Sequence, residues 1–234
     1  MINEKGVEFK ELSVRFGSKR ALNQLSFFAK PGEITGLLGR NGAGKTTALR
    51  ALTGLIDADS GRALINGREF SDARPGEIGV SLDSHFAPGR KVIDQLRATA
   101  LAFDLRGHDI DRVIDLLELS RILDKRCSGL SLGMRGRLGI ACAIISDPHT
   151  LILDEPVNGL DPDGIHWLHS FLTTSASSGK TVLVSSHYLH DLEKYIDHVV
   201  ILQERVLLDM PWSKTEVQSL GEIFNSVTHG LEIS

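Results

Sequence analysis

The chain reads as an α/β fold: a mostly parallel sheet, an antiparallel β segment ahead of it, and an inserted helical lobe. Three observations carry this reading. Short apolar runs at 34–38, 77–82, 151–153 and 181–185 lack polar alternation and are separated by helical patterns, as expected of strands covered on both faces. A glycine-rich loop, Gly39-Arg40-Asn41-Gly42-Ala43-Gly44-Lys45-Thr46, follows the first run and leads into a helical pattern beginning at Thr47. From 92 to 145 the period turns helical, and strands resume only afterwards, so this block is a lobe inserted into the sheet.

The elements follow in order. Val7, Phe9, Leu12, Val14 and Phe16 alternate with one slip between Phe9 and Leu12, which predicts a bulge. A second segment, 21–29, carries Leu25, Phe27 and Phe28, and Pro31-Gly32 punctuates before the strand at 34–38. The helix after the glycine-rich loop ends at Thr53-Gly54. Asp59-Ser60-Gly61 turns the chain into a strand at 62–65, and Asn66-Gly67 signals a hairpin. Pro88-Gly89 ends the loop after the strand at 77–82. Ile93, Leu96, Ala100 and Leu101 share one helical face, Ile110, Val113, Ile114, Leu116 and Leu117 another, and a third helix is predicted over 138–145. Beyond the strand at 151–153, a helix is expected over 164–174, a strand at 181–185, two strands at 198–202 and 205–208, and two short helices over 213–227.

Composition narrows the classes. With 234 residues, 41% hydrophobic and 24% charged, the chain is long enough for one large domain with a core. A formal charge of −4 gives no bulk argument for nucleic-acid binding, and none is expected. Cys127 and Cys142 lack metal-type spacing and read as free thiols of a reducing compartment. The N-terminus, Met-Ile-Asn-Glu-Lys-Gly, is polar and reads as no signal peptide. No apolar run approaches the ~18 residues of a membrane span, so the chain is not expected to cross a membrane itself.

The chemistry begins at the glycine-rich loop. It fits G-x-x-x-x-G-K-[ST], in the strand–loop–helix setting that this motif needs. Its glycines let backbone N–H groups turn around an anion, and the following helix N-terminus adds partial positive charge. Lys45 can reach terminal phosphates and the Thr46 hydroxyl can bind magnesium. Such a loop needs an acidic partner at the end of a buried strand. Leu151-Ile152-Leu153 ends in Asp154, a candidate metal ligand, and Glu155 beside it is a candidate base for an attacking water.

Leu130-Ser131-Leu132-Gly133-Met134 stands ahead of that strand and resembles the signature loop of ABC-type ATPases, usually written LSGGQ. The resemblance extends over nearly the whole chain. It implies a RecA-like P-loop NTPase core in a single domain, with approximate lobes at 1–90 and 147–210, a helical lobe at 91–146 and a helical tail at 211–234. It implies that Phe16, followed by Gly17, stacks on adenine, and that Thr47 joins the phosphate loop. Ser131, Gly133 and Met134 would face the γ-phosphate bound by a second subunit. Asn158-Gly159-Leu160-Asp161 resembles the D-loop at the dimer interface, and His187 the switch histidine that contacts the γ-phosphate. His85, His108 and His190 read as ordinary loop or surface residues.

Two departures stand out. Asp83 occupies the place of a family glutamine and would bring a second carboxylate near the metal beside Thr46 and Asp154, unless it only caps a turn. Leu132 and Met134 replace a glycine and a glutamine, a variant similar to one common among export-type members. The resemblance implies ATP and Mg2+ as ligands and hydrolysis in a head-to-tail homodimer or pseudo-dimer. It also implies a separate membrane permease, and a position at the cytoplasmic membrane face through that permease. Export of a drug, peptide or lipid is the preferred reading. An importer ATPase and a non-transport ABC ATPase stay open, while a P-loop kinase or GTPase would leave the Ser131 loop and Asp161 unexplained.

Overall fold

A computed structural model describes residues 5–82, 85–213 and 218–229. The strands in chain order are β1 (Val7–Phe16), β2 (Lys19–Ala29), β3 (Ile34–Leu38), β4 (Ser60–Ile65), β5 (Ile78–Ser81), β6 (Thr150–Asp154), β7 (Thr181–Ser186), β8 (His198–Gln203) and β9 (Arg205–Pro211). The helices are α1 (Lys45–Leu52), α2 (Val92–Ala102), α3 (Gly107–Leu116), α4 (Leu132–Ile144), α5 (Pro162–Ser177), α6 (Leu189–Leu192) and α7 (Leu220–His229). They form two compact units, one built from the chain up to Asp72 and from Leu172 onward, the other from Ala73–Phe171.

In the first unit, β1 lies between β2 and β4 in an antiparallel sheet. Val7, Phe9, Leu12 and Val14 are buried, and the Phe9 and Phe27 rings stack at 4.5 Å. The slip between Phe9 and Leu12 is a bulge: Glu11 takes a left-handed φ of 50°, and Gln24 on β2 does the same. Hydroxyls of the neighbouring strand occupy the bulge amides. Glu11 N–H donates to Ser26 Oγ (2.8 Å) and Gln24 N–H to Ser13 Oγ (3.0 Å), so the twist costs no unpaired amide there.

The parallel part of this unit centres on β3, with β7 and β8 parallel on its two sides and β9 antiparallel outside β8. Every residue of β3 and β7 is buried, which is why these strands carry no polar alternation. Asp197 fixes the start of β3 twice: its carboxylate accepts from Ile34 N–H and its own N–H donates to Ile34 O, each at 2.9 Å. The first turn of β2 meets the β8–β9 turn where Asn23 N–H donates to Glu204 O (2.7 Å).

In the second unit, β5 and β6 pair in parallel, Ile78 against Thr150 through Ser81 against Leu153. Leu96 of α2, Val113 of α3 and Leu138, Ile140 and Ile144 of α4 are buried. Arg112 of α3 caps the end of α4, its Nη2 donating to the carbonyls of Ile144 (2.9 Å) and Ile145 (3.0 Å), where Asp147 N–H also donates to Ile144 O (3.0 Å).

Two sequence expectations need correction. Asn66-Gly67 does turn the chain, with φ of 52° and 75°, but only Ile65 and Arg68 bridge across it. No strand follows, because Phe70–Asp72 winds into a 3-10 turn and Pro75 lies just beyond it without an N–H to donate. The third helix of the lobe begins at Leu132, a turn and a half before the predicted 138. Of the two short helices expected over 213–227, α7 is one, and residues 214–217 of the rest lie outside the described residues.

Candidate functional site

The glycine-rich loop leaves the carboxyl end of β3 and closes at the start of α1. Gly42 and Gly44 take φ of 84° and 105°, and a Cβ on Gly44 would sit 2.7 Å from both Ala21 O and Leu22 Cδ2. Glycine at 44 is therefore required twice, by conformation and by the close passage of β2. The loop is sewn down by Ala43 N–H to Arg40 O (3.0 Å), Ala48 N–H to Gly44 O (2.8 Å) and Glu204 N–H to Ala43 O (2.9 Å). No side chain caps the α1 N-terminus, and its first turn holds no acidic residue. Lys45 is buried, and its ammonium donates to Gly39 O at 2.7 Å and Arg40 O at 3.4 Å. The result is a backbone cradle with a fixed cation inside it and a helix N-terminus aimed along it. That arrangement binds phosphate. Arg40, Asn41 and Gly42 form its exposed rim, while Thr46 and Thr47 follow in the first turn of α1, half-buried.

His187 belongs to the same end of this unit. Register pairs Leu38 with Ser186, so Gly39 and His187 leave adjacent parallel strands side by side at their carboxyl ends, where ligands of open α/β sheets bind. The His187 ring lies 4.0 Å from that of Tyr188, whose N–H donates to Ser186 Oγ at 2.9 Å. Phe16 ends β1, where Phe16 pairs with Lys19 across the tight turn at Gly17. It is 54% exposed, so it is not a core aromatic, and the strand beyond that turn is the one packed on Gly44.

The remaining candidates belong to the second unit. Asp154 ends β6, half-buried, and Glu155 takes a left-handed φ of 50° that breaks the strand's alternation at once. A left-handed glutamate at a strand end is uncommon and costs backbone energy, a pattern that gathers at working sites. Both carboxylate residues line an open cavity of about 330 Å³ together with His85, Arg135 and Leu132. His85 thus lines the same cavity as the two candidate acids, although sequence alone reads it as an ordinary loop residue. Asp83 lies outside the described residues.

Ser131 is the N-cap of α4: its Oγ accepts from Met134 N–H at 3.3 Å, and the first turn holds no acidic residue. Gly133 follows where no side chain fits, since a Cβ there would come within 1.9 Å of Gly159 O. The Ser131 loop and the 158–161 loop are therefore packed backbone to backbone. Ser131, Gly133, Met134, Gly159 and Asp161 line one cavity of about 680 Å³. Asp161 caps α5, accepting from Gly164 N–H at 3.0 Å, and pairs with Arg137 Nη2 at 2.8 Å. The Gly164 amide first, and Arg137 second, hold its carboxyl below the ordinary 3.8. Sequence reasoning passed over Arg137, because nothing in 132–137 marks a helix that would set it on one face with Gly133.

The donors offered are oxygens and a cradle of amides. Among the described residues no three histidine, cysteine or acidic side chains cluster as a metal site. A Thr hydroxyl and one carboxylate nevertheless suit Mg2+, which takes few protein ligands and draws the rest from water and phosphate.

Residues 22–158 match the ABC transporter family. The lantibiotic transport ATP-binding protein SrtF of Streptococcus pyogenes is 32% identical over 94% of this chain and 96% of its own length. The Nod factor export ATP-binding protein I of Burkholderia orbicola is 34% identical over 85% of this chain and 68% of its own. Among solved structures, an ATP-binding subunit of an ABC transporter superposes with a TM-score of 0.86 at 28% identity, covering 96% of this chain and all of the other. With the phosphate cradle, the acid-tipped strand and the serine-capped helix on one chain, these likenesses agree: the chain belongs to the ABC transporter family, as an ATP-binding subunit that hydrolyses ATP to power transport.

Proposed function

We propose that this chain powers export of a peptide, drug or lipid-like compound through a separate membrane permease, working as half of a head-to-tail pair of cassettes. The observation that carries this reading is the second phosphate-receptive helix end. The α4 N-terminus, capped by Ser131 and free of acidic residues in its first turn, opens on a wide cavity. One phosphate cradle suffices for a single-site NTPase, and a second has a use when it receives the nucleotide of another subunit.

In this reading ATP lies on the Gly39–Lys45 cradle with its adenine against Phe16. The partner's copy of the Ser131–Met134 loop closes over the γ-phosphate. Lys45 and the loop amides stabilise charge on the phosphates, Glu155 orients the attacking water and His187 contacts the γ-phosphate. Thr46 and Asp154 would hold Mg2+, with Asp83 as a further ligand; the ion supplies charge neutralisation on the phosphates when bound. Closure binds the two cassettes together and hydrolysis releases them, which makes nucleotide state a rigid-body motion. The names of two relatives, one in lantibiotic transport and one in Nod factor export, favour export.

Glu155→Gln tests the mechanism. The variant keeps ATP binding, loses turnover by at least about 100-fold, as removal of a positioned base does, and doubles its mass in ATP. A variant that stays monomeric with wild-type turnover overturns the proposal.

A further inference from the structure

We infer that Arg137 is a positioning residue that makes the Ser131 loop and the 158–161 loop move as one body. The inference rests on the paired-cassette reading above. Arg137 stands on α4, one turn beyond Gly133, and both residues meet the 158–161 loop. Gly133 meets it through backbone, where even a Cβ would collide with Gly159 O. Arg137 meets it through charge, Nη2 donating to Asp161 Oδ1 at 2.8 Å. The same carboxylate oxygen accepts from Gly164 N–H at 3.0 Å, so the ion pair is made to the cap of α5 and not to a free side chain. Arg137 Nη1 reaches Glu118 at 3.5 Å, and Glu118 takes a left-handed φ of 53° where α3 gives way to a 3-10 turn. One guanidinium thus joins three elements around the cavity that Ser131, Gly133 and Asp161 line.

Two consequences follow. First, Asp161 is committed within its own chain, to a helix cap and an ion pair, so its part at an interface is to place the loop that carries it. Second, the pair is partly open to water, with the Asp161 side chain 62% and the Arg137 side chain 23% exposed, and such pairs add little to folding stability. An arginine kept here for stability alone would be nearly dispensable. An arginine that fixes the distance between two interface loops would not be, because small displacements of positioning groups cost rate steeply.

The test measures ATPase kinetics and melting temperature on the intact chain for Arg137→Ala, Asp161→Asn and the double variant, with Glu155→Gln as the dimer control. Asparagine keeps an oxygen for the Gly164 cap but loses the ion pair, so it separates the tie from the fold. Both single variants are expected to lose about 10-fold or more in kcat, with KM for ATP changed less than about 2-fold, because neither residue belongs to the chain's own phosphate cradle. Melting temperatures are expected to stay near wild type. The double variant is expected to be no slower than the slower single, as residues acting through one contact are not additive. Wild-type kcat in either single variant, or losses that multiply in the double, overturns the role of Arg137. If Glu155→Gln still dimerises in ATP, that failure belongs to Arg137 alone; if it does not, the paired-cassette reading has failed independently.

Discussion

Cys142 illustrates how much a side chain's surroundings set its chemistry. Its sulfur faces Thr99 Oγ1 at 3.6 Å inside the helical unit, and burial pushes the thiol from the ordinary 9.0 up to about 11. Burial raises Cys127 as well. A thiol so held is protonated at neutral pH and a poor nucleophile, so neither cysteine reads as reactive. The same shift links folding to alkali. Between pH 9 and 11 the unfolded chain releases the Cys142 proton while the folded chain keeps it. Stability from this group is thus fully present below 9 and is lost as pH rises toward 11. Denaturant melts of wild type and Cys142→Ala across that window are expected to differ in slope. Wild type should lose on the order of 1 kcal/mol more per pH unit, and equal slopes would mean that the thiol is not sequestered. Burial also holds the Tyr195 phenol above its ordinary 10.0, which extends the alkaline loss in both proteins and leaves their difference intact.

At the scale of elements, α4 combines folding and function at one residue. Ser131 satisfies the Met134 amide, and its loss to alanine should cost about 1 kcal/mol. Aspartate caps as well as serine but adds a negative charge at the helix end where the partner's phosphate is proposed to lie. Ser131→Asp is therefore expected to melt like wild type and to fail at ATP-driven dimerisation, whereas a dimer as tight as wild type would remove Ser131 from the phosphate site. The start of this helix was hidden in the sequence for a physical reason. Gly133 and Gly136 are poor helix formers and Leu132 is exposed, so neither propensity nor periodicity marks 132–137 as helix. What holds that stretch is the Ser131 cap and a backbone contact with Gly159, which joins segments far apart in the chain. By contrast, the uninterrupted apolar runs of β3 and β7 announce two-faced burial, and the slip after Phe9 announces the Glu11 bulge, because each is written in neighbouring residues. The candidate site divides along the same line. The phosphate loop is local in sequence and legible at once, while the Arg137–Asp161 tie spans 24 residues and the approach of His85 to the Asp154–Glu155 cavity depends on a loop path that no local pattern encodes.

At the scale of the whole molecule, the export reading requires the chain to work at a membrane. No described helix is long and apolar enough to cross a bilayer, and the net charge of −4 repels rather than attracts an anionic leaflet. Exposed large apolar side chains include Leu55 at 66% in one unit and Leu101 at 81% in the other. The proposed attachment, through a separate membrane permease, can be told apart from direct binding to lipid. Two measurements separate the routes. The purified chain is expected not to float with phosphatidylcholine–phosphatidylglycerol vesicles even at low ionic strength, where electrostatic adhesion is strongest. From its native source it is expected to sediment with membranes, to leave them in urea or at alkaline pH, and to copurify with a membrane-spanning polypeptide after detergent extraction. Flotation with bare vesicles would mean that lipid itself is the anchor, and a chain found wholly outside the membrane fraction would overturn attachment through a permease.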